Sequence, residues 1–127
     1  MLNKSQGPAL LRITLGLLFL IPGLFKLMDP SMVSGMLSGL GFPIASIFAW
    51  ILILVEIIFG VLLLIGMKTE IAIWPLFIVL LVALLLVAIP QFDMQNVQSI
   101  MNVLWHLIGL GGLLSISSTG AGKLFPN

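Results

Sequence analysis

Four long apolar stretches, joined by short polar connections, constrain this chain most. They run from about Pro8 to Met28, Ala45 to Gly66, Ile71 to Pro90 and Ser99 to Ser118. Each is close to the roughly 20 residues that an α-helix needs to cross a bilayer. We therefore predict an all-α membrane protein, a four-transmembrane-helix bundle in which residues 1–127 form one transmembrane domain.

The composition agrees with lipid as the surrounding medium. Of the 127 residues, 61% are hydrophobic and only 7% are charged, with a mean hydropathy of +1.31. These values lie outside the range of soluble domains. A net charge of +1 gives no reason to expect a nucleic-acid partner. The chain has no cysteine, which excludes a disulfide framework and thiol redox chemistry.

The connection between the first two stretches, residues 30–43, is the longest with a pattern of its own. Its apolar residues recur at helical spacing, while serine and glycine occupy the other side. This pattern predicts a short helix in the membrane interface, too short to span the bilayer. A flexible loop is the alternative, because the segment contains several glycines.

The third stretch differs from the others because it carries neither a charged nor a polar side chain. It reads IAIWPLFIVLLVALLLVAIP and is apolar on every face. We expect it to be the most lipid-exposed of the four spans and to have a structural role.

Basic residues fall unequally on the two sides of the predicted bundle. Lys4, Arg12, Lys68 and Lys123 lie on the side of the termini, and Lys26 lies on the other side. Because cytoplasmic loops carry an excess of Lys and Arg, both termini are expected in the cytoplasm. No small-x-small cleavage site follows the first stretch, so we expect it to be a retained anchor.

Glu56 is the first candidate functional residue. It lies in the middle of an otherwise uncharged apolar run from Ile44 to Ile65. A lone carboxylate at that depth is costly unless the protein pairs it or uses it. On an ideal helix Glu56 shares a face with Ala45, Ala49 and Gly60, small residues that let membrane helices approach closely. We therefore predict that Glu56 points into the bundle.

The first stretch also collects its polar residues on one face. Arg12, Gly16, Phe19, Gly23 and Lys26 fall within about 40° of one line along the helix. That face is expected to meet the Glu56 face of the second span.

These faces predict a buried polar cluster of Arg12, Glu56 and His106, with Asn102 and Lys26 above it. Asn102 and His106 share a face of the fourth span. If the spans begin at the same depth, Arg12 and Glu56 are separated by roughly 9 Å, which two long side chains can bridge. Lys26 starts roughly 13 Å above Glu56 by the same measure and is expected to reach outward to the headgroups.

These five residues are candidates for a ligand or proton site, and no catalytic residue is assigned. The alternatives are an Arg12–Glu56 ion pair that fixes helix packing and a histidine that is a hydrogen-bonded part of the core. The acidic residues and the single histidine lack metal-ligand spacing, so no metal site is expected. The glycines at 109, 111 and 112 predict a close helix contact.

Four segments together resemble the DoxX family of small four-helix membrane proteins. They are RITLGLLFLIPGLFKLMDP, GLGFP, VEIIFGVLLLIG and GAGKL, in this order over nearly the whole chain. The resemblance implies a four-helix bundle in the cytoplasmic membrane of a bacterium or archaeon. It also implies that Arg12, Lys26 and Glu56 match the family's recurrent polar positions.

Two classes of function follow from the resemblance. In the first, the chain is the membrane subunit of a quinone-linked oxidoreductase complex, not catalytic on its own, while a soluble redox partner supplies the cofactor. Relatives are linked to thiosulfate oxidation at the quinone pool and to oxidative-stress complexes. In the second, it is a non-catalytic binding or scaffold protein for a small ligand, a lipid or a partner protein, as are the cargo receptors that the family resembles. A homo-oligomer is compatible with both.

Overall fold

The computed structural model describes residues 2–125, which form five helices and no strand. Four of the helices are long and apolar enough to cross a membrane, and a shorter one follows the first. The predicted fold class is therefore confirmed. The helices are α1 (Gln6–Met28), α2 (Pro30–Gly39), α3 (Ala45–Ile65), α4 (Thr69–Ala83, continued by a π-helical turn over Leu84–Ala88) and α5 (Val97–Thr119).

The four long helices alternate in direction, so that both ends of the described chain meet at one end of the bundle. The Lys123 N–H donates to the Ser5 carbonyl at 3.1 Å. The Gln6 side-chain amide donates to the Leu124 carbonyl, also at 3.1 Å. We call this end, which includes the α3–α4 turn, the termini end, and the opposite end the α2 end.

Helices α1 and α3 form the most extensive helix pair, and glycines set their separation. A β-carbon at Gly16 would lie 2.8 Å from the backbone of Leu64, and one at Gly60 would lie 3.1 Å from the Leu20 nitrogen. Further along, Gly23 faces Glu56. The predicted contact between the two small-residue faces is confirmed, and its glycines fix the register in which α1 passes α3.

The shorter helix α2 is attached at its start and along one side. Asp29 caps it, because its carboxylate accepts the Met32 N–H at 3.3 Å, and Pro30 occupies the first turn. Val33 and Leu37 are buried against α3. A packed helix, and not a flexible loop, therefore connects α1 to the loop before α3.

Helix α4 is not the most lipid-exposed span, and that expectation was wrong. A third of its most apolar window is buried, 33% against 28% for α3. Ala72, Ile73 and Leu76 are almost fully buried. A helix that is apolar on every face carries no pattern that indicates its buried side, so the sequence could not place it.

Helix α5 packs through two of its three central glycines. A β-carbon at Gly109 would meet side chains of Leu18 and Leu80, and one at Gly112 would meet Leu15 at 3.1 Å. Gly111 has no neighbour within 4 Å. The predicted close contact is confirmed at Gly109 and Gly112.

Candidate functional site

Glu56 is buried in the bundle and is paired with Lys26. The ammonium group of Lys26 donates to both carboxylate oxygens, at 2.7 Å to Oε1 and 3.0 Å to Oε2. The Glu56 side chain is 6% exposed and that of Lys26 is 26% exposed. This is the one ion pair among residues 2–125, and it links α1 to α3 inside the apolar part of the bundle.

Arg12 is not the partner of Glu56, and that prediction was wrong. The predicted separation of Arg12 and Glu56 assumed that the first and second spans begin at the same depth in the membrane. The glycine contacts instead place Gly16 opposite Leu64 and Gly23 opposite Glu56. In this register Lys26 is within one helical turn of Glu56, and Arg12 reaches the last turn of α3. The close glycine contacts between α1 and α3 therefore determine that Lys26, and not Arg12, pairs with Glu56.

Arg12 lies at the termini end, with its guanidinium against Gly66. A β-carbon at Gly66 would overlap Nη1 of Arg12. Gly66 has a positive φ of 81° and ends α3, so both the backbone conformation and the space require glycine. A cation at this point is favourable because the carbonyl end of the α3 dipole is negative. Arg12 thus lies at the termini end, whereas the Lys26–Glu56 pair lies closer to the α2 end.

His106 and Asn102 lie on α5, apart from the Lys26–Glu56 pair. The Nδ1 atom of His106 is 2.6 Å from the backbone carbonyl of Asn102, one turn earlier in the same helix. Within the described chain, no hydrogen bond or ion pair joins His106 to Glu56. The structure does not form the predicted Arg12–Glu56–His106 cluster. Asn102 instead lines an open polar depression at the α2 end, together with Ser99 and Trp105.

An apolar cavity of about 330 Å³ adjoins the ion pair. Lys26 and Glu56 are the polar residues in its lining, and all the others are apolar. The walls come from α2, the loop after it, α3, α4 and the π-helical turn, with Leu37, Phe42 and Val79 among them. Its volume lies at the lower end of the range for small-molecule sites, which are mostly apolar with a few placed polar groups.

The chemistry of this cavity follows from the donors of Lys26. A lysine ammonium has three N–H donors and no acceptor. Glu56 takes two of them. The third donor has no hydrogen-bond partner among residues 2–125. Among residues 2–125 no three His, Asp or Glu side chains come together as a set that could hold a metal ion.

Sequence reasoning identified both members of the pair but missed the cavity walls. Lys26 and Glu56 were visible as charges inside apolar runs. No sequence feature indicated that α4 forms part of the cavity wall, because Ile78, Val79 and Val82 lie in an unbroken apolar sequence. The helical spacing of Met36, Leu37 and Leu40 predicted the helix α2, but not that it lines a cavity.

Four membrane-crossing helices with an internal Lys–Glu pair beside an apolar cavity define a multi-pass membrane protein with a polar site in its interior. The family model of DoxX matches residues 7–89, well over half of the chain. The chain therefore belongs to the DoxX family. Comparisons with curated proteins and with solved structures gave no significant match. The family match covers α1 to α4, including Lys26, Glu56 and the cavity walls, and ends before α5.

Proposed function

We propose that this DoxX protein is the membrane subunit of a quinone-linked oxidoreductase complex, and that its apolar cavity receives the quinone ring. The observation that carries the proposal is the Lys26–Glu56 pair on the wall of an otherwise apolar cavity. A quinone ring is flat and apolar and carries two carbonyl oxygens. The free donor of Lys26 suits one of these oxygens, and the apolar walls suit the ring.

The residues of the cavity would bind and orient the ring, but they would not carry electrons. A quinone accepts two electrons and two protons to become a quinol. The electrons would come from the redox cofactor of a soluble partner protein, because the chain has no cysteine and one histidine. The two protons would come from the aqueous phase, and Lys26, held by Glu56, would donate a hydrogen bond to one quinone oxygen at the cavity edge.

Quinone content tests this proposal directly. The protein is purified from its own host in mild detergent, and bound quinone and co-purifying proteins are identified by native mass spectrometry and extraction. We expect quinone in the wild type and much less in Val79→Phe, which fills the cavity but leaves the ion pair intact. Val61→Phe is the matched control, since Val61 is 36% exposed on α3 and does not line the cavity.

Two results would contradict the proposal. One is the absence of quinone from the wild type, together with no binding of a short-chain quinone to the protein in nanodiscs. The other is equal quinone content in wild type, Val79→Phe and Val61→Phe, which would place the quinone outside the cavity.

A second candidate is a non-catalytic binding or scaffold protein. It is favoured by the geometry of the pair itself, because Lys26 and Glu56 satisfy each other on the glycine-lined contact between α1 and α3. In that case the pair fixes helix packing and the cavity holds a lipid or part of a partner protein. Recovery of lipid or a membrane protein, without quinone or a redox enzyme, would favour this candidate.

The proposed location is the cytoplasmic membrane, with both termini in the cytoplasm. It is supported by the basic residues at the termini end, Lys4, Lys68 and Lys123. Because the chain has no cysteine, single-cysteine variants can test this with an impermeant thiol reagent. On cells with an accessible outer face of that membrane, Met94→Cys should react and Lys4→Cys should react only after lysis. The reverse pattern would contradict the orientation.

A further inference from the structure

The apolar cavity is closed on its inner side and open on the other. Glu56 and Leu37 are buried where they line it. Helix α4 contributes two parallel stripes, because residues four apart lie on one face of a helix. One stripe is partly buried and the other is exposed, and they consist of Val79, Ala83 and Val87 and of Ile78, Val82 and Leu86 respectively. The partly buried stripe is thus a wall of the cavity, and the exposed stripe is its rim.

The open side is the gap between α2 and α4, which we call the lateral gap. Both helices pack against α3, and they do not form a packed pair with each other in the described chain. From the α2 side, Met36 and Leu40 complete the rim, and Ile51 of α3 lies between the two helices. All three side chains are exposed. The cavity is therefore a groove along α3 with α2 and α4 as its sides.

The lateral gap faces the side of the bundle. Ile78 lies near the middle of the membrane-crossing span Thr69–Ala88, so the rim reaches the middle of the bilayer. Apart from Lys26 and Glu56, every residue of the lining is apolar. In a chain that crosses the membrane four times, an apolar opening at this depth meets the hydrocarbon of the lipid and not water.

We infer that the apolar cavity exchanges its ligand sideways with the lipid through the lateral gap, and that the apolar chain of a lipid-soluble quinone lies in this gap. The quinone ring rests on the proposed function, whereas the side of entry rests on the exposure of the rim. A volume of about 330 Å³ lies at the lower end of the range for whole small molecules, so a ring leaves little room for a long chain. With a ring oxygen at Lys26, the chain leaves by the open side.

The test maps the ring and the chain separately. The full chain is placed in nanodiscs with one of two photoreactive quinones that share the same long apolar chain. One probe carries a diazirine on the ring, and the other carries it on the chain, several carbons from the ring. Labelled residues are identified by mass spectrometry after irradiation. We expect the ring probe to label the inside of the cavity, at Leu52 or Val79, and the chain probe to label the rim, at Met36 or Ile78.

A variant of the rim tests the route independently of the labelled positions. Ile78→Trp puts a larger side chain at a rim position that is 60% exposed. Because it narrows the lateral gap, labelling inside the cavity should decrease for both probes. Ile71→Trp is the matched control, since Ile71 is 56% exposed on the same helix and does not line the cavity. Its labelling should remain at the wild-type level.

The outcomes separate the route from the quinone site itself. If the ring probe labels the cavity but the chain probe labels α1, α5 or the termini end, the lateral gap is not the route and the quinone site stands. Equal labelling of Ile78→Trp and Ile71→Trp would also overturn the route. If the ring probe does not label the cavity of the wild type, the proposed function fails, and the place of the chain in the gap fails with it.

Discussion

The two ends of the α1–α3 contact hold their charges in opposite ways. Toward the α2 end, Lys26 and Glu56 satisfy each other and adjoin an apolar cavity. At the termini end, Arg12 is buried without a counter-ion and lies near a cavity that Thr69 lines. A satisfied pair needs no further partner, whereas a buried donor without one is costly to the fold. The same helix pair therefore carries a mutually satisfied ion pair toward one end and a buried cation without a counter-ion at the other.

The difference arises from the register of two helices. Glycine contacts set that register, with Gly16 against Leu64 and Gly23 against Glu56. A shift of one turn along α3 would bring Arg12 closer to Glu56 and move Lys26 away from it.

Removing the lysine should have the largest effect on stability. Lys26→Met leaves Glu56 buried without its partner, and breaking a buried pair in this way costs about 3 kcal/mol. The measurement is thermal unfolding in detergent, followed by circular dichroism. Lys123→Met is the control, because the exposed Lys123 contributes only backbone groups to its contacts with Ser5. Equal stability of the two variants would show that the pair does not hold the bundle.

Closing the space at Gly16 should have the next largest effect. In Gly16→Ala the new methyl group meets the Leu64 backbone at 2.8 Å, so the helices must separate. Overpacking of this kind costs about 2 kcal/mol. Gly111→Ala is the control, since no atom lies within 4 Å of its β-carbon position. That variant should keep or gain stability, by up to about 1 kcal/mol, because alanine favours the helix. A loss of equal size in both would argue against the glycine contact.

Uncapping α2 should have a smaller effect, confined to the α2 end. Asp29→Ala removes the acceptor of the Met32 N–H, which costs about 1 kcal/mol. Because Leu37 of α2 lines the apolar cavity, the affinity for a cavity ligand should fall as well. Ser38→Ala, at an exposed position of α2, serves as the comparison in the same unfolding and binding measurements. Unchanged binding in Asp29→Ala would remove α2 from the account of the cavity.

Removing the buried hydroxyl group of Thr69 should have the smallest effect on stability. In lipid-free detergent, Thr69→Val replaces a buried hydroxyl that has no protein partner, so stability should stay within about 0.5 kcal/mol or rise. Thermal unfolding again provides the measurement. A loss as large as that of Lys26→Met would mean that the hydroxyl has a partner within the protein, and the contrast between the two ends would fail.

Most of the fold was accessible from the sequence because a bilayer limits the alternatives. The lengths of the apolar runs predicted four spanning helices, and the spacing of Val33 and Leu37 predicted the shorter one. The inward faces of α1 and α3 also followed from helical periodicity, as the burial of Gly23 and Glu56 shows.

The arrangement of the site was less accessible because it depends on how far one helix slides along the next. A sequence gives the angle of Arg12 and Lys26 around α1, but not their depth relative to α3. Depth was set by backbone contacts at Gly16, which no charge pattern reveals. Asn102 and His106 on α5 do not contact the Lys26–Glu56 pair for a related reason. His106 has its own helix carbonyl as a partner, and position on a face does not show whether a side chain crosses the bundle.

The most direct test of the account is a pair of double-mutant cycles on unfolding free energy. The first combines Lys26→Met with Glu56→Leu, and the second combines Arg12→Met with Glu56→Leu. We expect a coupling above about 1 kcal/mol for Lys26 and Glu56, which share a buried ion pair, and additivity within about 0.5 kcal/mol for Arg12 and Glu56. The reverse result, with Glu56 coupled to Arg12 and independent of Lys26, would contradict the register and the separation of the two ends.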